Sequence, residues 1–167
     1  MAVQYLLDLC ELFTNDITLR KEVRLAYEQP QQYLQQFKNE LEGRGIDEPI
    51  KSLAWIALVD GLRRRSLLQE LDWKDDPEDA IAVVENLTQN YPNQQEIYKT
   101  LSNLEPLLND DIEEFLPTVN LAIQQYNIKL VWFDINSDSY PLTLIPFKEL
   151  ANTKDLVHKV GFGMIKN

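Results

Sequence analysis

Residues Lys129 to Ile145 read Lys-Leu-Val-Trp-Phe-Asp-Ile-Asn-Ser-Asp-Ser-Tyr-Pro-Leu-Thr-Leu-Ile, and no other stretch of the chain has that character. Two runs of apolar, aromatic and β-branched residues flank a polar Asn-Ser-Asp-Ser cluster, the pattern of strand, turn and strand. A lone hairpin is marginal in water, so other elements must cover it. The rest of the sequence offers helices for that purpose. The expected fold is therefore α+β: a predominantly helical domain with a C-terminal antiparallel β-hairpin packed on helices. Leu67 to Trp73 is a candidate third strand.

The helices follow from apolar periodicity and caps. Val3 to Phe13 reads as the first. Asn15 or Asp16 can cap a second, with Leu19, Val23 and Ala26 or Tyr27 on one side. Pro30 suits the first position of a third, with a Tyr33, Leu34, Phe37, Leu41 stripe that Gly43 and Gly45 end. Ile50 to Leu62 differs: from Leu53 to Val59 it carries no charge, so it reads as a central helix enclosed by other elements.

Asp76 as cap and Pro77 at the first helical position start a helix through Ile81, Val84 and Leu87, which stops before Pro92. Asn93 opens the next, with Ile97, Leu101 and Leu104. After Asn109-Asp110-Asp111 comes a helix with Phe115, Val119, Ala122, Ile123 and Tyr126, in which Pro117 implies a start near Leu116 or a kink. Phe147 to Ala151 and Leu156 to Val160 read as short helices, the second stopped at Gly161. A chain of 167 residues is most simply one domain, 1–167. A soft boundary at Gly43 to Pro49 leaves 1–44 readable as a helical extension on an α+β core at 45–167.

The formal net charge is −11. Such a chain is repelled by nucleic-acid phosphates and by anionic lipid, so neither is an expected partner. An acidic surface can instead meet a basic protein. Cys10 is the single cysteine and His158 the single histidine, so no intramolecular disulfide forms. Cys10 falls on the apolar side of its helix and reads as a buried hydrophobe. His158 reads as a surface or half-buried structural residue. The first residues carry no basic n-region and no small-residue cleavage site, and the longest apolar run is far too short to span a bilayer. A cytoplasmic protein is the expectation, with its oligomeric state open.

Catalytic patterns are missing. The five glycines make no nucleotide-binding loop, and no nucleophilic Ser sits in a Gly-x-Ser-x-Gly frame. No catalytic residue, metal ligand set or cofactor is therefore assigned. Asp134, Asn136 and Asp138 open like an EF-hand loop, but Ser139 stands where Gly is needed and Ile145 where a bidentate Glu is needed. Hairpin-turn chemistry accounts for them. Asp72, Asp75, Asp76, Glu78 and Asp79 suit a helix N-terminus, and Trp73 beside them is either a docking anchor or, by preference, a staple onto the core. Arg63-Arg64-Arg65 follows the central helix and is expected to pair with acids. The candidate binding residues are Asp72, Trp73, Asp134, Asn136 and Asp138.

The block Leu71-Asp72-Trp73-Lys74-Asp75-Asp76-Pro77-Glu78-Asp79, after a Leu/Ala/Trp-rich helix, resembles one in a family of small bacterial proteins classed as a domain of unknown function. The Asp138-Ser139-Tyr140 turn with the following Leu-Thr-Leu-Ile strand is similar to that family's C-terminal hairpin. The resemblance runs from about Gly45 to Phe162. It implies a soluble bacterial α+β protein and supplies neither catalytic residues nor a cofactor; proteins of this general kind are sometimes grouped with toxin–immunity systems. Two functions are compatible with the sequence. One is a non-catalytic interaction module, inhibitor- or immunity-like, whose acidic face meets a basic partner. The other is an enzyme using carboxylates around Asp72, Asp134 or Asp138 with a divalent cation.

Overall fold

A computed structural model describes residues 2–104 and 111–167. In chain order the elements are α1 (Ala2–Phe13), α2 (Ile17–Glu28), α3 (Pro30–Gln36), α4 (Lys38–Gly43), α5 (Leu53–Arg64), β1 (Leu68–Asp72), α6 (Pro77–Leu87), α7 (Gln94–Leu101), α8 (Ile112–Ile123), β2 (Ile128–Asp134), β3 (Ser139–Pro146), α9 (Leu150–Val160) and β4 (Met164–Lys166). Short 3-10 turns at Gln124–Tyr126 and Phe147–Glu149 link α8 to β2 and β3 to α9. The chain is α+β and predominantly helical, with a small antiparallel sheet.

The strands run in the order β1-β3-β2-β4. β2 and β3 form the expected hairpin, with Trp132 opposite Leu142 and Leu130 opposite Leu144. The suspected third strand is β1, which lies on the far side of β3 with Leu68 opposite Thr143. β4 was not anticipated. It pairs with the end of β2, Phe133 opposite Ile165. Three residues are too few for a period-2 signal, and this strand exists because its backbone is held from outside.

Alternation along the strands sends their side chains into two apolar clusters. Leu68, Val131, Phe133 and Ile145 join α1, α2, α5 and α9 on one face. Leu71, Leu130, Trp132, Leu142 and Leu144 join α6, α7 and α8 on the other. The charge-free segment is indeed enclosed, for every residue of α5 from Leu53 to Leu62 is buried. Burying one such large apolar side chain contributes about 1.5–3 kcal/mol. Gly61 lets α2 approach closely, since a Cβ there would stand 2.3 Å from Leu19 Cδ1.

Trp55 ties α5 to the hairpin. Its indole N–H donates to the Asp134 carbonyl at 2.9 Å, and its ring centroid lies 5.0 Å from that of Phe133. Gly163 crosses the other side of the ring: a Cβ would sit 2.5 Å from the indole, and its φ of +85° suits glycine alone. That crossing delivers β4 to β2. On the opposite face, buried Asn120 of α8 acts as a substitute strand: its amide donates to the Leu130 carbonyl at 2.9 Å and accepts the Leu130 N–H at 2.8 Å. Both backbone groups would otherwise be unpaired in the core.

Several expectations need correction. The stripe from Tyr33 to Leu41 belongs to two helices, because the chain breaks at Phe37 (φ −112°, ψ 25°). The central helix begins at Leu53, leaving Ile50 exposed. Pro117 marks no helix start: α8 begins at Ile112, where the Asp111 carboxylate accepts the Glu114 N–H at 2.9 Å, and the proline sits inside the helix. The expected start at Asn109-Asp110 lies outside the described residues. The two patches after the hairpin are joined, a 3-10 turn running straight into α9, which Gly161 ends at φ +79°. Of the alternatives Ala26 and Tyr27, Ala26 is buried and Tyr27 exposed.

Candidate functional site

The tip of the β2–β3 hairpin is built by its own polar side chains. The Asp134 carboxylate accepts the Asn136 N–H at 2.9 Å, and Asn136 takes a left-handed φ of +56° that asparagine tolerates. Ser137 and Ser139 hydroxyls meet at 2.9 Å. This is the turn chemistry expected of the truncated EF-hand look-alike.

The end of β1 is laced to that tip. The Trp73 N–H donates to the Asp138 carbonyl at 3.0 Å. Asp75 turns back to accept the Asp72 N–H at 2.7 Å, Asp72 accepts the Lys74 N–H at 3.0 Å, and Asp79 accepts the Asp76 N–H at 3.0 Å. Each carboxylate stabilises a backbone donor at a helix start or strand edge. None of these acids is neutralised by a side-chain cation within salt-bridge reach among the described residues.

Two clefts flank the tip. One, of about 500 Å³, opens toward the α4–α5 side between Arg44, Ile46, Ile50, Ile56, Ile135 and the residues Asp72, Asn136 and Asp138. The other, of about 340 Å³, opens toward α8 between Trp73, Trp132, Tyr140, Glu113, Asp134, Asp138 and Lys166. The structure thus gathers all five sequence candidates at one pole. Arg44, Glu113 and Lys166 reach the pole from elements remote in sequence, and no local pattern marks them.

Trp73 is not a staple. It is 53% exposed, with the Lys74 ammonium 5.2 Å from its ring centroid. Its backbone is fixed by Asp138, which leaves the indole on the outside. Trp132, packed edge-on to Tyr140 at 6.5 Å, is buried with its indole N–H lacking an acceptor among the described residues. Partial burial pushes the Tyr140 phenol up, and Glu113, Asp111 and Asp138 reinforce the shift. Lys166 approaches Asp134 at 3.7 Å. Among the described residues, no group of three or more His, Cys, Asp or Glu side chains converges as metal ligands would.

Among the described residues lining these clefts the one arginine is Arg44, which is already engaged. Arg44 donates to both Asp60 oxygens (2.9 and 3.1 Å from Nε) and to Glu70. The Arg63-Arg64-Arg65 run is paired as expected: Arg63 and Arg64 with Glu40, Arg64 and Arg65 with Glu22, and Arg65 with Asp16 at 2.6 Å. Those contacts hold the Asp16 carboxyl at about 2, through hydrogen bonds from Arg65 and Thr18. Cys10 is buried, and burial pushes its thiol up to about 12. His158 is exposed on α9. Among the described residues no helix is long and apolar enough to cross a membrane.

The family model for a domain of unknown function, DUF6630, matches residues 6–167, and the chain belongs to that family. The match extends the resemblance seen in the sequence through α1–α4. No curated protein and no solved structure matches the chain.

Proposed function

We propose that this DUF6630 chain is a non-catalytic protein-interaction module whose acidic hairpin pole receives a basic partner, in the manner of an inhibitor or immunity protein. The observation that carries the reading is Trp73: a large aromatic, 53% exposed, stands among acids that bond only backbone N–H groups. Tryptophan at the centre of a charged rim is the composition of a binding hot spot. Acids already engaged by turns are pre-organised, so a cationic partner orders little on arrival. A partner lysine or arginine has two kinds of contact available, an indole or phenol face and a carboxylate.

No observation favours the carboxylate enzyme over this reading, because Asp72, Asp75 and Asp134 each commit an oxygen to the turn backbone. Titration calorimetry with a lysine-rich peptide, and with a glutamate-rich peptide of equal length as control, tests the proposal. The expected result is binding of the lysine peptide alone, weakening as salt rises and falling about tenfold or more in Trp73→Ala. Equal binding of both peptides, or an unaltered affinity in the variant, would overturn it.

A further inference from the structure

A second surface has the opposite character. Between α1 and α2 lies a cleft of about 290 Å³ whose rim includes Arg20, Lys21 and Arg24, with Glu11 as its one carboxylate and Leu7 and Ile17 as its apolar wall. Arg20 pairs with Glu11, whereas Lys21 and Arg24 have no ion-pair partner among the described residues. In a chain of net charge −11, a cleft with three cations to one acid is a local reversal of sign. Ile17 is 54% exposed at its edge.

The same chain carries the complement. Trp73 projects from Asp72-Trp73-Lys74-Asp75-Asp76 at the hairpin pole, an exposed apolar ring among acids. We infer that the α1–α2 cleft docks the acidic Trp73 segment of a second copy, the indole against Ile17 and Leu7 and the carboxylates of Asp75 and Asp76 against Lys21 and Arg24. The two patches differ, so the contact is heterologous and each pair keeps one cleft and one pole open for the next copy. Two chains of this charge repel at a distance. At physiological ionic strength the screening length is about 8 Å, which weakens that repulsion while leaving charges in contact to attract. Self-association by this route covers the pole that the proposed basic partner needs, so partner and second copy compete for it.

Sedimentation velocity across a concentration series at physiological salt tests the inference on the full chain. The wild type is expected to show a sedimentation coefficient that climbs with concentration. That climb is lost at salt near 1 M, where screening acts within about 3 Å. Lys21→Glu/Arg24→Glu, which destroys the cleft, and Trp73→Ala/Asp75→Lys, which destroys the pole, should each sediment as monomers. Mixed together they should form a dimer and nothing larger, because one intact pole meets one intact cleft. A wild type that stays monomeric, cleft and pole variants that associate like the wild type, or a mixture that behaves as the sum of its parts would overturn the inference. It shares the pole with the docking reading, and one arm separates them. If the cleft variant still binds the lysine-rich peptide while the wild type never self-associates, only this inference falls; if that variant fails to bind the peptide, the docking reading falls.

Discussion

Two regions of this molecule are rich in acids and use them in opposite ways. Around α2, α4 and α5, Asp16, Glu22, Glu40, Asp60 and Glu70 each face a guanidinium. At the hairpin pole, Asp72, Asp75 and Asp138 have only backbone donors or none, and none of the three has an ion-pair partner among the described residues. Arginine supplies a planar fork that holds two carboxylates at once, so the first region spends its charge internally. The second leaves its charge facing solvent. Net charge therefore misdescribes both regions.

The contrast breaks most readily at Arg44. Its partner Asp60 has a side chain only 1% exposed, so Arg44→Ala removes every guanidinium hydrogen bond to a buried carboxylate and leaves it only the more distant Arg63, at 3.5 Å. A loss of about 3–5 kcal/mol in chemical denaturation is expected, and Arg44→Ala/Asp60→Ala should recover part of it. A loss below about 1 kcal/mol would mean this pair is no more than a surface ion pair.

Gly163→Ala is expected to cost less, about 1–2 kcal/mol from the positive φ, with a further loss from the Trp55 contact. Because β4 frames the pole, peptide affinity should fall along with the melting temperature. A variant as stable as the wild type would show that β4 lies elsewhere.

At the pole itself, Asp138→Asn/Glu113→Gln should change stability by no more than about 0.5 kcal/mol while weakening binding of a lysine-rich peptide. A destabilisation comparable to that of Arg44→Ala would place these acids in the structural class and erase the distinction.

The smallest effect is one of pH. Asp16 is held at about 2 in the folded chain against an ordinary 3.8, by Arg65 and Thr18. A depressed carboxyl contributes stability that is complete above the unfolded value and is lost as pH falls from about 3.8 through about 2. Asp16→Asn should flatten the acid limb of a stability profile in that window. An unaltered limb would show that Arg65 does not perturb Asp16.

The sequence made the hairpin and the enclosed α5 legible because each rests on local pattern: β-branched alternation, a polar turn, a run without charge; β1 follows only from the hairpin's need for a third strand. The sequence also marked the pole, since turn-forming acids announce themselves. What stayed hidden depends on distant partners. Asp60 follows the charge-free run inside α5 and reads as the start of a solvent edge, yet it is buried and bound by Arg44 from the preceding loop. Asn120 looks like a polar helix residue until Leu130 offers an unpaired strand edge. β4 requires Gly163 to pass over Trp55, and Trp73 seemed a staple because nothing local says that Asp138 fixes its backbone. The second wall of each cleft was illegible for the same reason.

The claim that the pole's charge is the part left free for a partner is tested most directly by nitrogen-15 NMR during titration with a lysine-rich peptide. Shifts and broadening should concentrate on the Trp73 indole and on the backbone of Asp72, Asp138 and Tyr140, leaving Glu22 and Glu40 unmoved. Perturbations spread evenly over every acidic residue, or centred on Glu22 and Glu40, would contradict it.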